Sequence, residues 1–320
     1  MENSEGTPDS DRLVLMTDER VLVALRQHGG AASSAVLVDA SSRHALRVAL
    51  REGAIRQDGR GRYSLPVAED GRAAANRMTG VASHLTAAAH WGWSMKTAPA
   101  RPMITVPRNR NVPPADQKAS QISWRTLPPD DVVDGWVTGP VQTVLDCAVM
   151  LPFDEALAVA DSALRSGTVT RTELEDAAAA MSRGGPAARR VAREASQEAA
   201  NPFESVLRAI ALGVTGLRVR PQVEIEGDGS FARVDLGDEE LRIALEADSF
   251  EFHGTRRQLA DDAKRYDEIV IQDWLLHRFA WEHVMFEQPW VTRMLEGLVQ
   301  VRKSRPAKRR RISVKRAQAA

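Results

Sequence analysis

Two segments near residue 240 alternate apolar and polar residues with the period of a β-strand. Residues 231–236 read Phe-Ala-Arg-Val-Asp-Leu, and residues 241–248 read Leu-Arg-Ile-Ala-Leu-Glu-Ala-Asp. Because successive side chains of a strand point to opposite faces, Glu246 and Asp248 share one face, roughly 7 Å apart. Asp235 joins them if the first strand pairs alongside. Carboxylates gathered in this way repel one another unless a hard cation or bound protons compensate, so the pattern indicates a Mg²⁺ site.

The elements around these strands predict a small mixed sheet flanked by helices. We expect a helix from 201 to 212, strands over 218–226 and 274–279, and helices over 257–272 and 289–301. Asn201 is the predicted N-cap of the first helix. On that helix Glu204 lies just off the apolar stripe, and it is either a further acid of the site or a surface residue paired with Arg208 one turn away.

The N-terminal part predicts a winged helix-turn-helix over residues 18–66. Apolar stripes indicate helices over 19–27, 31–38 and 42–52, and two short strands over 54–65 surround a glycine-containing tip. The alternative is a module that only holds proteins together, with arginines that are ordinary solvated charges. The candidate DNA contacts are the arginines of the third helix and of the hairpin, Arg43, Arg47, Arg51, Arg60 and Arg62.

The middle of the chain shows no signature of catalysis. Residues 81–91 read as a helix, 102–106 and 122–124 as strands, and Ala-rich helices follow. His84 and His90 are six residues apart and lie on different faces of a helix, so they cannot chelate a metal as an i, i+4 pair. The region contains no P-loop and no zinc spacing, which favours a scaffold.

Composition indicates which cellular compartment and which kinds of binding partner to expect. The 320-residue chain has a formal net charge of zero, but residues 302–316 hold nine Lys or Arg and no acid, which is typical of a basic tail for nucleic acid or of a solvated end. The single cysteine, Cys147, excludes an internal disulfide and suits a reducing compartment. Apolar residues never run long enough to span a membrane, so we expect a cytoplasmic protein with no membrane partner.

The order of motifs in the C-terminal region resembles the Vsr-like branch of the PD-(D/E)XK nuclease superfamily. An acid on the first helix, then D and E-x-D on strands, precede Phe-Glu-Phe-His at 250–253, Asp-Ala-Lys-Arg-Tyr at 262–266 and Trp-Leu-Leu-His-Arg-Phe-Ala-Trp at 274–281. The resemblance covers roughly residues 201–301. It implies a restriction-endonuclease-like fold and Mg²⁺-dependent (or Mn²⁺-dependent) cleavage of DNA.

The same resemblance implies roles for individual residues. Asp235 is the expected first metal ligand and Glu246 the second, with the backbone carbonyl of Ala247 as a third. In the superfamily an acid on the first helix of the domain often completes the metal site, and Glu204 corresponds to that acid by its position in the order of the motifs. The alternative is a purely structural role, in which the acids form salt bridges with neighbouring arginines. The candidate partners are Arg233, Arg242 and Arg265.

This sequence departs from the superfamily pattern at Asp248, where the superfamily has a lysine that orients the attacking water. Three interpretations stay open. Lys264 or Arg265 on the following helix replaces that lysine, His253 assists as general acid or base, or the activity has been lost.

A weaker resemblance covers residues 15–180. Ser-His-Leu-Thr-Ala-Ala at 83–88 and Thr-Gly-Pro-Val-Gln-Thr-Val-Leu-Asp at 138–146, with the N-terminal module, are similar to the antitoxin of AbiE-type systems. That resemblance implies a transcriptional regulator, with a toxin or a second copy of the chain as candidate partner.

The whole chain is therefore expected to be a multidomain α+β protein. Its predicted parts are a disordered lead-in (1–17), the winged helix-turn-helix (18–66), a mixed α/β middle region (80–182), a connector (183–200), a restriction-endonuclease-like α/β domain (201–301) and a basic tail (302–320). The predicted function is a Mg²⁺-dependent DNA endonuclease targeted by the winged helix. The alternatives are a non-catalytic DNA-binding regulator or antitoxin that keeps a degenerate nuclease fold, and a protein-interaction scaffold.

Overall fold

A computed structural model describes residues 18–27, 30–59, 61–227, 230–248 and 256–304. The chain divides into two compact units, Met1–Gln197 and Glu198–Ala320. The described residues form fourteen α-helices and three sheets, which confirms a mixed α/β chain with more than one folded part. The predicted lead-in, most of the basic tail and the segment 249–255 lie outside the described residues.

The first unit begins with three helices and a three-stranded antiparallel sheet of order β1-β3-β2. The elements are α1 (Glu19–Gln27), β1 (Ala31–Ser33), α2 (Ser34–Ala40), α3 (Arg43–Arg51), β2 (Arg56–Gly59) and β3 (Arg62–Ser64). Their apolar sides share one core that includes the fully buried Leu25, Leu37 and Ala49.

The helix predicted over 31–38 is wrong at its beginning. Residues Ala31–Ser33 form β1 and pair with β3, and the helix starts only at Ser34. Ser33 and Ser42 act as N-caps, since their side chains accept hydrogen bonds from the amides of Val36 and Ala45 at 3.4 and 3.1 Å. The capping serines therefore determine where α2 and α3 begin.

The rest of the first unit is a five-stranded sheet of order β6-β5-β4-β8-β7 packed with helices. Its elements are α4 (Val67–Met78), β4 (Val81–Ala82), α5 (His84–His90), β5 (Met103–Val106), α6 (Pro114–Ala119), β6 (Gln121–Trp124), a 3₁₀ turn (Pro129–Asp131), β7 (Val132–Val133), β8 (Val137–Thr138), α7 (Pro140–Met150), α8 (Phe153–Ser166), α9 (Arg171–Ala180) and α10 (Gly185–Glu194). The helix predicted over 81–91 is wrong at its beginning, because Val81 and Ala82 pair with β5. Both predicted strands are present, together with three short strands that the sequence did not indicate.

The two motifs of the weaker resemblance meet in a buried polar cluster. His84 has a positive φ of 52°, and its Nδ1 lies 2.8 Å from the hydroxyl of Ser83. Burial lowers the pKa of His84, although the charge of Asp146 opposes this. Asp146 is held by Arg125 at 2.6 Å and by the side-chain amide of Gln142 at 2.5 Å. Hydrogen bonds therefore fix each of the two groups, His84 and Asp146, and the charges of Asp146 and Arg125 act on His84 across the space between α5 and α7.

The second unit is a four-stranded mixed sheet of order β12-β11-β10-β9, in which only β11 and β12 run parallel. Its elements are α11 (Pro202–Ala211), β9 (Arg220–Gly227), β10 (Ser230–Asp238), β11 (Ile243–Asp248), α12 (Arg256–Ile271), β12 (Leu275–Ala280), α13 (Trp281–Phe286) and α14 (Gln288–Ser304). The predicted mixed sheet flanked by helices is confirmed, and β11 begins two residues later than predicted.

Two apolar cores flank this sheet. Leu236, Ile243 and Leu245 pack with residues of α11, α13 and α14, whereas Val234 and Ala244 pack with Ile269 of α12. The predicted alternation of β11 is therefore confirmed. No helix in the part of the chain that the structure describes is long and apolar enough to cross a membrane.

Candidate functional site

The site lies at an irregular point of the sheet of the second unit. β10 pairs with β9 through Val234↔Val223 and Leu236↔Pro221, but Val234 and Leu236 belong to different cores. Gln222 has a positive φ of 53°, which is uncommon for a residue other than glycine. Residues two apart in a strand normally face the same side, so the alternation of side chains along β10 is interrupted at Asp235. Uncommon backbone conformations such as that of Gln222 cluster at active sites and ligand-binding positions.

The same irregularity corrects the prediction for β9. Val219, Val223 and Ile225 were expected on one face of the strand. Instead, Val219 packs in the core beside α11, and the other two pack in the core beside α12. The positive φ of Gln222 lies between them and breaks the alternation.

Asp235 is half-buried and close to two other carboxylates. Its Oδ2 accepts a hydrogen bond from the amide of Ala247 at 2.8 Å. Burial, followed by the charges of Glu204 and Glu246, raises its pKa to about 7, against the opposing effects of the Ala247 amide and Arg265. Near neutral pH this carboxyl is therefore both proton donor and proton acceptor.

Glu204 is held by a capping arrangement at the beginning of α11. As predicted, Asn201 is the N-cap, and its Oδ1 accepts the amide of Glu204 at 3.0 Å while its Nδ2 donates to Glu204 Oε1 at 2.9 Å. Glu204 Oε2 accepts from the Ala200 amide at 2.9 Å and from Gln222 Nε2 at 3.1 Å. The side chain is 4% exposed, so these donors compensate for its desolvation.

Glu246 is paired with an arginine from α12. Both of its carboxylate oxygens accept hydrogen bonds from the guanidinium of Arg265, at 2.9 and 2.7 Å. The same guanidinium donates to the backbone carbonyl of Arg233 at 3.0 Å. Of the three arginines considered as salt-bridge partners, Arg265 is the one that binds Glu246, and Arg242 instead lies 4.0 Å from Asp273.

Asp248 is paired with an arginine of the neighbouring strand. Its carboxylate lies 2.5 Å from the guanidinium of Arg278 on the neighbouring β12. Arg278 and Arg265 both contact the ring of Tyr266, with guanidinium carbons 4.5 and 5.1 Å from the ring centre. The acids whose charges act on Asp235 are Glu204 and Glu246, and Asp248 is paired with Arg278.

The structure also places the remaining predicted residues. Arg265 reaches the acids, whereas Lys264 is exposed and forms no hydrogen bond or ion pair with another described residue. The amide of Ala247, rather than its carbonyl, contacts Asp235. His253 lies outside the described residues.

On the predicted DNA-binding surface, Arg43, Arg47 and Arg51 are exposed along α3. Arg60 and the side chain of Arg62 lie outside the described residues.

Sequence reasoning missed three contributors to the site. Gln222 holds Glu204, Arg278 holds Asp248, and Tyr266 lies against both guanidinium groups. The dipeptide Pro-Gln at 221–222 interrupts the apolar alternation of β9 and is the one available signal for Gln222.

The donor chemistry of the converging acids suits a hard divalent cation, because carboxylate oxygens are the ligands that Mg²⁺ prefers. Burial is the main cause of the raised pKa of Asp235, and the charges of Glu204 and Glu246 add to it; a bound cation would relieve that second, repulsive contribution. In the described geometry Arg265 supplies the positive charge at Glu246. Among the residues whose positions are described, no group of three His, Cys, Asp or Glu is arranged to hold a metal ion. Any cation at Glu246 therefore competes with Arg265.

The proteins that this chain resembles are uncharacterized or only distantly similar. No family model matches the chain. Two uncharacterized proteins of Mycobacterium tuberculosis, MT2308 (strain CDC 1551 / Oshkosh) and Rv2248 (strain ATCC 25618 / H37Rv), are each 31% identical over 142 residues. That match covers 43% of this chain and 52% of each relative, so the chain spans about half the length of the curated relatives it matches.

Among solved structures, the crystal structure of the RV2827C protein from Mycobacterium tuberculosis aligns with 59% of this chain and 78% of that chain, at 14% identity and a TM-score of 0.30. A similarity at that level supports no conclusion about fold or function.

Proposed function

We propose that the second unit is a DNA endonuclease that uses Mg²⁺ or Mn²⁺, and that the chain acts on DNA in the cytoplasm. The observation that carries the proposal is the convergence of Glu204, Asp235 and Glu246, from a helix and two strands, at the irregular point of the sheet. Burying three acids together is unfavourable for stability, and such clusters are found mainly where chemistry requires them. These three residues also belong to the ordered motifs by which the C-terminal region resembles Vsr-like nucleases.

In this proposal Asp235 and Glu246 would hold the metal ion, with the carbonyl of Ala247 as a further ligand. When bound, Mg²⁺ polarises the phosphoryl group and lowers the pKa of a bound water. Asp235 would bind the ion only as the carboxylate, so with a metal-free pKa of about 7 its metal binding should weaken as the pH falls below neutral. Asn201 and Gln222 hold the carboxylate of Glu204 in its orientation.

Arg265 takes the part that the superfamily gives to lysine. Its guanidinium donates to the carbonyl of Arg233 as well as to Glu246, so a cation that replaced it at Glu246 would still leave it a hydrogen bond beside the site. A fixed positive group beside the reacting phosphate stabilises the charge that develops there. We therefore favour Arg265 over Lys264, and His253 stays a candidate general acid.

The first unit would bring the nuclease to DNA. Its first six elements follow the order helix, strand, helix, helix, strand, strand, which is the order of a winged helix. In such folds the third helix enters the major groove. The exposed Arg43, Arg47 and Arg51 on α3 would then meet phosphates and base edges.

The proposal is tested by incubating the full chain with supercoiled plasmid and Mg²⁺. We expect nicked and linear products from the wild type, and at least a 100-fold lower rate from Asp235→Asn. Asp267→Asn, which removes an exposed acid of α12, is the matched control and should cut like the wild type. If the wild type and Asp235→Asn were equally inert in both Mg²⁺ and Mn²⁺, the nuclease proposal would be rejected.

A second candidate function is a DNA-binding regulator, antitoxin-like, with a nuclease fold that no longer cuts. It is favoured by the pairing of Glu246 with Arg265 and of Asp248 with Arg278, which leaves two acids neutralised. A toxin or a second copy of the chain would be its partner. It predicts retardation of DNA from upstream of its own gene that is lost in Arg47→Ala and unchanged in Glu246→Gln. Failure to retard that DNA would rule it out.

A further inference from the structure

One corner of the first unit combines exposed arginines with an exposed tryptophan. β5 and β6 are parallel, and Val106 and Trp124 are partners at their carboxyl ends. The loop that leaves β5 therefore emerges beside Trp124. Residues 107–111, which read Pro-Arg-Asn-Arg-Asn, are all exposed, and the loop returns to the core at the buried Val112.

The loop is held in one shape by its own hydrogen bonds. The amide of Arg110 donates to the carbonyl of Pro107 at 2.9 Å, which closes a tight turn with Arg108 at its tip. The guanidinium of Arg110 donates to Thr79 Oγ1 at 3.2 Å. A charged surface that is ordered before binding loses less entropy when a ligand arrives.

The aromatic side chain is fixed to the same loop. Trp124 is 45% exposed, and its indole N–H donates to the carbonyl of Arg110 at 3.3 Å. Its polar atom is thus already satisfied, so the surface it offers to a ligand is the apolar ring. A large exposed ring beside cationic side chains suits a partner that has both flat apolar faces and negative charge.

The positive charge of this corner is not cancelled by the acids around it. Within the described part of the chain, Arg108 and Arg110 form no ion pair with a carboxylate. Asp116 lies 2.6 Å from Arg77 and is neutralised by it. Two arginines are therefore available to a polyanion.

We propose that Arg108, Arg110 and Trp124 form a binding surface for single-stranded DNA, distinct from the arginines of α3 and from the acids of the second unit. The arginines meet successive phosphates, and the indole stacks on an unpaired base. Single-stranded rather than duplex DNA is the partner, because a base in a duplex is already stacked on both faces. The inference rests on the proposed function only for the choice of DNA as the polymer.

The test measures binding of a fluorescein-labelled oligo-dT strand, and of a duplex of equal length, by anisotropy in EDTA at several KCl concentrations. EDTA removes cleavage, so the result does not depend on whether the second unit is a nuclease. Replacing both arginines (Arg108→Gln with Arg110→Gln) is expected to lower the slope of log affinity against log salt by roughly 1.4, about 0.7 for each phosphate of a single strand. Trp124→Ala should weaken strand binding about tenfold, and Trp124→Phe should restore most of it.

The matched control is the double replacement Arg183→Gln with Arg189→Gln, which removes two exposed charges elsewhere in the same unit. It should leave the salt slope for the single strand unchanged. The inference is overturned if the control lowers the slope as much as the loop variant, if Trp124→Ala binds the strand as the wild type does, or if only duplex binding responds. If the wild type bound neither DNA at any salt concentration, the surface and the DNA-directed function would both be rejected.

Discussion

Removing the charge of Asp235 should stabilise the second unit, by an amount that grows as the pH rises towards 7. The native state holds the proton of Asp235 up to about pH 7, whereas an unfolded chain releases it above its ordinary pKa of 3.8. Between these values a rising pH favours the unfolded state, so Asp235 lowers the stability of the native protein progressively from about pH 4 to pH 7. Above pH 7 the penalty is constant.

The size of the effect follows from the two pKa values. Each pKa unit corresponds to about 1.4 kcal/mol, so the interval from 3.8 to about 7 sets a ceiling of about 4 kcal/mol. Because Asp235 is half-buried and water screens part of the repulsion, we expect roughly 2 to 4 kcal/mol. Asparagine keeps an oxygen that can accept the Ala247 amide, so Asp235→Asn should match the wild type to within about 1 kcal/mol at pH 4.

Amide hydrogen exchange of the peptide that contains β11 measures this difference, because it reports opening of the second unit alone. Wild type and Asp235→Asn are compared at the same pH, at pH 5, 6, 7 and 8. The protection gained by the variant should grow with pH and level off above pH 7. Asp267→Asn, which removes an exposed charge of α12, should give no such trend. A constant difference across this range, or a variant that becomes less protected as pH rises, would show that the pKa of Asp235 is not raised and would refute the buried, acid-flanked environment described for it.

Three further predictions concern the supports of the site. Arg265→Gln leaves Glu246 buried without its partner and should destabilise the second unit by about 2 kcal/mol, with Arg265→Lys intermediate, as measured by urea unfolding. Asn201→Ala removes the cap of α11 and should cost about 1 kcal/mol in the same assay while lowering plasmid nicking more than Asp267→Asn does. Phe279→Ala opens a cavity at a residue that is 1% exposed and should cost about 3 to 5 kcal/mol; a cost below 1 kcal/mol would contradict the packing of β12.

The sequence predicted those parts of the second unit whose signals are local. The alternation of β11 separates Leu245 from Ala244, and both lie in the cores that their positions imply. Asn201 before Pro202 predicted the start of α11, and the cap is formed as expected. These features depend on neighbouring residues alone, so the local sequence is enough to predict them.

Short strands were missed because they depend on distant partners. β1 is three residues long and exists through its pairing with Arg62–Ser64, about thirty residues later. β4 is two residues long and is defined by β5 and β8. Neither segment is long enough to show an alternation of its own.

The site was missed in two respects, both of which arise from tertiary packing. The interrupted alternation at Asp235 accompanies a positive φ at Gln222 on another strand, and no pattern within β10 announces it. The choice between Lys264 and Arg265 depends on the phase of α12. Arg265 lies one turn before Ile269, which is buried against the sheet, so the same face carries the guanidinium to Glu246.

The most direct test of the account is a Mn²⁺ titration of the full chain followed by electron paramagnetic resonance, which separates bound from free ion. If Asp235 and Glu246 hold a cation, the wild type should bind about one ion per chain at neutral pH and Asp267→Asn should bind the same amount. Asp235→Asn and Glu246→Gln should each abolish that site. A wild type that binds no Mn²⁺, or binding that survives Asp235→Asn unchanged, would contradict the account.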